Sequence, residues 1–285
     1  MIALWYKLAD YVLPFDLARY IFIKNALLAV LLVTPVFGVL GTMVVSNRMA
    51  FFTEVLGHSA LTGIAIGIVC GIHDPTLPMI TIAVVLAVLV NILKGMTHAS
   101  MDTVLGVFLA FMIALGITIL SRQGGFVKFT VYLIGDILAV TPQQIAWIAA
   151  LFVIVFVYWY FAGNALILTS VSGSLARSRR IKTFMVETSF TVLLAVVVMV
   201  AIRLVGILII NSLLVLPAAA SRNVARSVGS YTALSIIISM LSGITGLFAS
   251  YYWGTASGAT IVLFAVGCYS LSALTRRIRQ KSFIL

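Results

Sequence analysis

Glu54 and His58 stand four residues apart in Phe51-Phe52-Thr53-Glu54-Val55-Leu56-Gly57-His58-Ser59-Ala60, within an apolar stretch. A helix brings positions i and i+4 to one face, so carboxylate and imidazole point into one space. Glu54 reads as the acidic residue at bilayer depth, and ionisable groups are costly in hydrocarbon and mark functional sites. Three roles fit the pair. Carboxylate oxygen with imidazole nitrogen suits zinc, manganese or ferrous iron. Such ligands bind deprotonated, so affinity falls in acid, and two protein ligands hold loosely enough to release a cargo. The same pair could serve as a hydrogen bond between helices or as a proton relay. Gly57, Ser59, Ala60, Gly63 and Gly67 are small enough for another helix or subunit to come close.

Other polar residues offer less. Asn211 and Ser212 lie in a second apolar stretch, where they bond across helices or line a path. His73 and His98 fall in loops. Ser59 follows His58 but faces another direction on a helix, which argues against a catalytic dyad. Neither a nucleotide-binding P-loop, a CxxC pair nor an H-E-x-x-H motif occurs, so the chain does not read as an enzyme.

These residues need helices that cross a bilayer. Of the 285 residues, 63% are hydrophobic and 9% charged, and mean hydropathy is +1.22. Soluble domains carry about a quarter charged residues, and barrel strands would alternate with a short period. The composition predicts an all-α, polytopic helical membrane protein. Nine apolar segments cover about 21–46, 50–71, 75–94, 103–120, 143–162, 183–202, 204–220, 230–252 and 258–275. The sixth and seventh are separated only by Arg203, so eight is the alternative count. Residues 1–20, with Trp5, Tyr6, Lys7 and Arg19, read as an interfacial segment before a transmembrane unit of 21–275. Residues 276–285 read as a basic cytoplasmic tail.

Helix punctuation follows from residue chemistry. Asp74-Pro75 and Thr141-Pro142 read as N-cap followed by N1. Asp102 or Thr103 is expected to cap the fourth segment, and Pro35 and Pro217 to kink theirs. Cys70 and Cys268 lie in apolar runs and read as packing residues rather than a disulfide.

The net charge of +11 does not signal nucleic acid, because the basic residues sit in short loops and at the C-terminus. Assigning alternate loops to one side places twelve of the eighteen Lys and Arg there. That side is predicted to be cytoplasmic, with the C-terminus on it and, for nine spans, the N-terminus outside. His58 lies ten residues beyond Arg48, or about 15 Å along a helix, half of a hydrocarbon core about 30 Å thick. The longest cytoplasmic loop, 163–182, is basic. It reads either as a solvated, lipid-facing loop or as a docking helix. The outer loop 121–140 could be re-entrant or face an extracellular partner.

The chain resembles the membrane permease subunits of bacterial zinc/manganese/iron ABC importers from about residue 27 to 275. The stretches that carry the likeness are Arg48-Met49-Ala50-Phe51-Phe52 through Glu54, His58, Leu61 and Gly63, then Tyr132 to Pro142, Leu213 to Arg222, and Gly258 to Leu263. The resemblance implies an ABC-importer permease fold in the bacterial inner membrane, with no permanently bound cofactor and a divalent metal as cargo. It implies two permeases, two cytoplasmic ATPases and an extracytoplasmic metal-binding protein as partners. Glu54 and His58 match the family's carboxylate and histidine of the second span. The region of Ser172, Ser174, Leu175, Ala176, Arg179 and Arg180 matches the ATPase-engaging helix. Three positions depart from the pattern: Glu54 where Asp is usual, Leu109-Ala110-Phe111 where some zinc importers add a histidine, and Ser174 and Arg180 near the usual acidic residue and glycine. The alternative function is an ion- or proton-coupled secondary transporter that uses Glu54–His58 as its relay.

Overall fold

The computed structural model describes residues 5–7, 9, 20–72, 74–96, 100–122 and 137–281. Nine long helices are present among them, each long and apolar enough to cross a membrane: α1 (Ile21–Ser46), α2 (Ala50–Val69), α3 (Thr76–Met96), α4 (Met101–Arg122), α5 (Pro142–Val171), α7 (Thr183–Val205), α8 (Ile207–Val224), α9 (Val228–Trp253) and α10 (Ser257–Lys281). A short helix, α6 (Gly173–Ser178), follows α5, and one 3-10 turn covers Ile137–Ala139. No strand occurs among the described residues.

The helix ends show how a chain this apolar still chooses its turns. Thr141 caps α5 through a reciprocal box with Gln144, each side chain accepting from the other's backbone N–H. Asp74 accepts from the backbone and hydroxyl of Thr76, so it caps α3 beside Pro75 as expected. At α4 the expectation fails. Ser100, not Asp102 or Thr103, accepts the Thr103 N–H at 3.2 Å, and Asp102 sits inside the first turn, beside the helix's positive end. α1 and α8 run on through Pro35 and Pro217.

Four helices close with the same pair of backbone bonds, in which a residue at the cap or just past it adopts a left-handed conformation. At the ends of α2 and α9 this residue is Gly71 (φ 72°) and Gly254 (φ 62°). At the ends of α1 and α6 it is Arg48 (φ 55°) and Arg180 (φ 59°), with Met49 N–H bonding Val44 O and Ile181 N–H bonding Ala176 O. An L side chain there costs about 1 kcal/mol or more. The spans alternate in direction, so both arginines lie on one side and both glycines on the other.

Two segment boundaries differ from the sequence reading. α5 extends to Val171 and is 30 residues long, about 45 Å, so it absorbs the first half of the predicted 163–182 loop. α10 continues to Lys281, so the basic stretch from Arg276 belongs to its last turns. Cys70 is exposed at the end of α2 and Cys268 is half-buried; both are free. Of the N-terminal segment, Trp5–Lys7 is helical, with Trp5 donating to Lys24 O and Tyr6 to Asn25 Oδ1 at the start of α1. Most of residues 1–20, His73, His98 and the greater part of the 121–140 loop lie outside the described residues.

α1 is the most enclosed helix and forms the centre of the bundle, with α5, α8 and α9 against it. Small residues bring the backbones together. A Cβ on Gly41 would stand 2.1 Å from the Leu214 carbonyl oxygen of α8, and one on Gly63 would stand 2.6 Å from the Met79 backbone of α3. Serine and threonine hydroxyls mostly return to carbonyls of their own helix. Exceptions tie helices together, among them Ser235 to Gly38 O and Thr62 to Met112 O.

Candidate metal-ion site on α2 and α8

His58 is the ninth residue of the 20-residue α2, and Glu54 lies one turn before it. The helix forms because this stretch has neither proline nor a long β-branched run, and its small residues let α3 and α4 approach. Glu54 Oε1 is 3.3 Å from His58 Nε2, and the two side chains are 43% and 36% exposed. The i, i+4 expectation therefore holds, and both groups open onto one surface of the chain.

The other side of the carboxylate belongs to α8. Asn211 Nδ2 donates to Glu54 Oε2 at 2.7 Å. Asn211 thus bonds across helices, one of the two roles expected of it. Its own Oδ1 is buried and has no partner. Ser212 turns its hydroxyl back to Leu208 O at 2.8 Å, so it does not reach the pair.

What brings Asn211 there is a break that the sequence reading placed elsewhere. The sixth span runs through Arg203 to Val205, and the chain turns at Gly206 (φ 92°, ψ 154°). That conformation is open to glycine almost alone. α7 and α8 are consequently separate spans, and the described residues contain nine rather than eight. Ile207, the first residue of α8, presses on Gly57: a Cβ at 57 would lie 2.0 Å from Ile207 Cδ1. With 54 facing 211 and 57 facing 207, α8 runs antiparallel to α2 and starts level with its middle. Asn211 is one turn into α8, whose N-terminal end carries partial positive charge.

Oxygen and nitrogen donors separated by 3.3 Å could share one small cation. No group of three or more His, Cys, Asp or Glu side chains comes together among the described residues. The chain's own contribution is therefore the two groups on α2 with the α8 amide behind them. A cleft of about 540 Å³ lies elsewhere, between the ends of α3, α5 and α7, lined by Asp74, Thr76, Thr141, Gln144, Trp147 and Leu204.

The predicted docking segment is a defined turn of helix. Ser172 caps α6 by accepting the Leu175 N–H at 3.3 Å, and its hydroxyl is 2.9 Å from that of Ser174. Ala176 is buried and anchors α6, while Leu175, Arg179 and Arg180 are exposed.

The chain is similar to known transport proteins along nearly its full length. It is 33% identical over 252 residues to the high-affinity zinc uptake system membrane protein ZnuB of Haemophilus influenzae, covering 88% of this chain and 96% of that one. It is 27% identical over 245 residues to the manganese import system permease protein ScaB of Streptococcus gordonii, covering 85% and 87%. Among solved structures, a chain of PsaBC from Streptococcus pneumoniae in complex with Fab superposes with a TM-score of 0.77 at 25% identity, covering 95% of each chain. The family model described as ABC 3 transport family matches residues 19–276. This polytopic chain belongs to the ABC 3 transport family.

Proposed function

We propose that this chain is the membrane permease of an ABC importer carrying a divalent transition metal, zinc, manganese or iron, into the cytoplasm. The observation that carries this reading is the facing of Glu54 Oε1 and His58 Nε2 at mid-helix, in a chain of this family. Relatives named for zinc uptake and for manganese import support the cargo class. ATP is bound and hydrolysed by partner chains, and this chain supplies the path.

Glu54 and His58 are the cargo ligands in this reading. The carboxylate's protein partners are an imidazole and an amide rather than a lysine or arginine, and two protein ligands permit release. The pair opens onto the chain's surface, so a second copy of the permease is the natural cover, giving a homodimer with a site near its midline. α6 is the contact for the ATPase: Ala176 fixes it to the bundle, and Leu175, Arg179 and Arg180 face outward. The basic side, with the C-terminus, is cytoplasmic. The N-terminus then lies outside, where an extracytoplasmic metal-binding protein delivers cargo. The bacterial inner membrane is its place.

The test is metal-dependent growth and radiometal uptake in a strain lacking the permease, complemented with Glu54→Ala or His58→Ala. Both variants should assemble with the ATPase and fail to support uptake. Normal uptake by both variants removes the site assignment.

A further inference from the structure

Metal chemistry at this site depends on how many carboxylate oxygens the cargo can reach. A carboxylate only accepts hydrogen bonds, so the Asn211 atom 2.7 Å from Glu54 Oε2 is the amide nitrogen. That bond ties Oε2 to α8 and leaves Oε1 facing His58. Chelation by both oxygens requires a metal equidistant from them. A carboxylate anchored at Oε2 and turned with Oε1 toward the imidazole presents one oxygen to the shared space.

We infer that Asn211 sets the metal selectivity of the site by keeping Glu54 a one-oxygen ligand. The inference rests on Glu54 and His58 being the cargo ligands. One oxygen and one imidazole nitrogen suit a small ion content with four ligands, which is zinc. Manganese prefers six-coordinate, oxygen-rich surroundings and gains from a second carboxylate oxygen. The glutamate side chain is long enough to swing, so the restraint must come from outside α2. Asn211 supplies it because Gly206 starts α8 level with the middle of α2 and Gly57 leaves room for Ile207. The buried, unpartnered Oδ1 of Asn211 fits this account. An amide kept only to tie helices together could have been replaced by a donor that buries no idle acceptor, since an unpaired buried acceptor is costly. Asn211 is thus a positioning residue acting through Glu54.

The experiment uses the complex of this chain with its ATPase in lipid nanodiscs, with Co(II) as the optical probe. Zn(II) and Mn(II) then compete for the site. The unaltered complex should show the intense visible bands of low-coordinate Co(II), displaced by far less zinc than manganese. In Asn211→Ala, which frees Oε2, the bands should weaken toward those of a higher-coordinate ion. The zinc-over-manganese preference should fall about tenfold, the scale of removing a partner that orients a ligand. Asn211→Leu fills the same volume without a donor and should do the same, which guards against a cavity artefact. The inference is overturned if both variants keep the spectrum and the preference. It is equally overturned if affinity for the two metals falls in parallel, since a purely structural tie would weaken both alike. Glu54→Ala separates the two levels: if it leaves the Co(II) bands unchanged, the site reading itself fails. If it abolishes them while the Asn211 variants behave as the unaltered protein, the selectivity role alone fails.

Discussion

Glu54 is not alone among acidic residues on the spanning helices: Glu187 is about equally exposed and has opposite company. Glu54 on α2 meets an imidazole at 3.3 Å and an amide at 2.7 Å. Glu187, one turn into α7, meets the Lys94 ammonium of α3 at 2.6 Å. Side-chain exposure is 43% for Glu54 and 33% for Glu187, so burial does not separate them. The charge of the partner does. Lys94 cancels Glu187 within the protein, next to a second α3–α7 tie between Asn91 and Thr191, and the pair reads as a link between helices. The Glu54 partners donate or share hydrogen bonds without supplying a fixed positive charge. In the proposed reading, that is the carboxylate a passing cation meets, since unpaired ionisable groups in membrane spans mark functional sites. Distance and exposure alone would have ranked the Lys94 pair higher.

The largest effect should come from removing charge at 54 while keeping shape. Glu54→Gln retains an oxygen that can accept from Asn211, so the complex should assemble normally and metal uptake should drop to background. Near-normal uptake would break the comparison, because it would mean that charge at 54 is not what the cargo meets. The next effect concerns the seat of α8. Gly41→Val would drive a side chain into the Leu214 carbonyl, and overpacking of this kind costs about 1–3 kcal/mol. Thermal unfolding in detergent should fall accordingly, with uptake lost in proportion to folded protein, since the α1–α8 contact is what aligns Asn211 with Glu54. The smallest effect should come from the control pair. Lys94→Ala is expected to cost no more than about 1 kcal/mol, the range for partly exposed ion pairs, and to leave the ratio of zinc to manganese uptake unchanged. A shift in that ratio would make the α3–α7 pair part of the path and remove the contrast.

Much of this architecture could be read from local chemistry. Apolar length set the spans, and Thr141-Pro142 and Asp74-Pro75 announced the starts of α5 and α3 because proline and a capping oxygen act within one turn. Long α-helices also absorbed what local polarity made look like loops: α5 carries Gly163 and Asn164 within its length because nothing there, unlike Pro142 or Gly206, forbids a helix. Ser100, Asp102 and Thr103 all carry a capping oxygen, and only the backbone path shows whose oxygen faces the free N–H.

The Glu54–His58 face was fixed by the sequence itself, because i, i+4 geometry is internal to one helix and needs no tertiary partner. Its meaning was not. Asn211 is 157 residues from Glu54 along the chain, and no spacing rule connects them. The contact exists because Gly206 adopts a conformation that other residues avoid, starting α8 level with the middle of α2. It also needs Gly57 and Gly41 to let α8 settle between α2 and α1. Which side chains shared a face was settled by helical periodicity. Which oxygen of Glu54 was left open was settled by long-range packing, where two helical glycines and the glycine between α7 and α8 decide together what none of them signals alone.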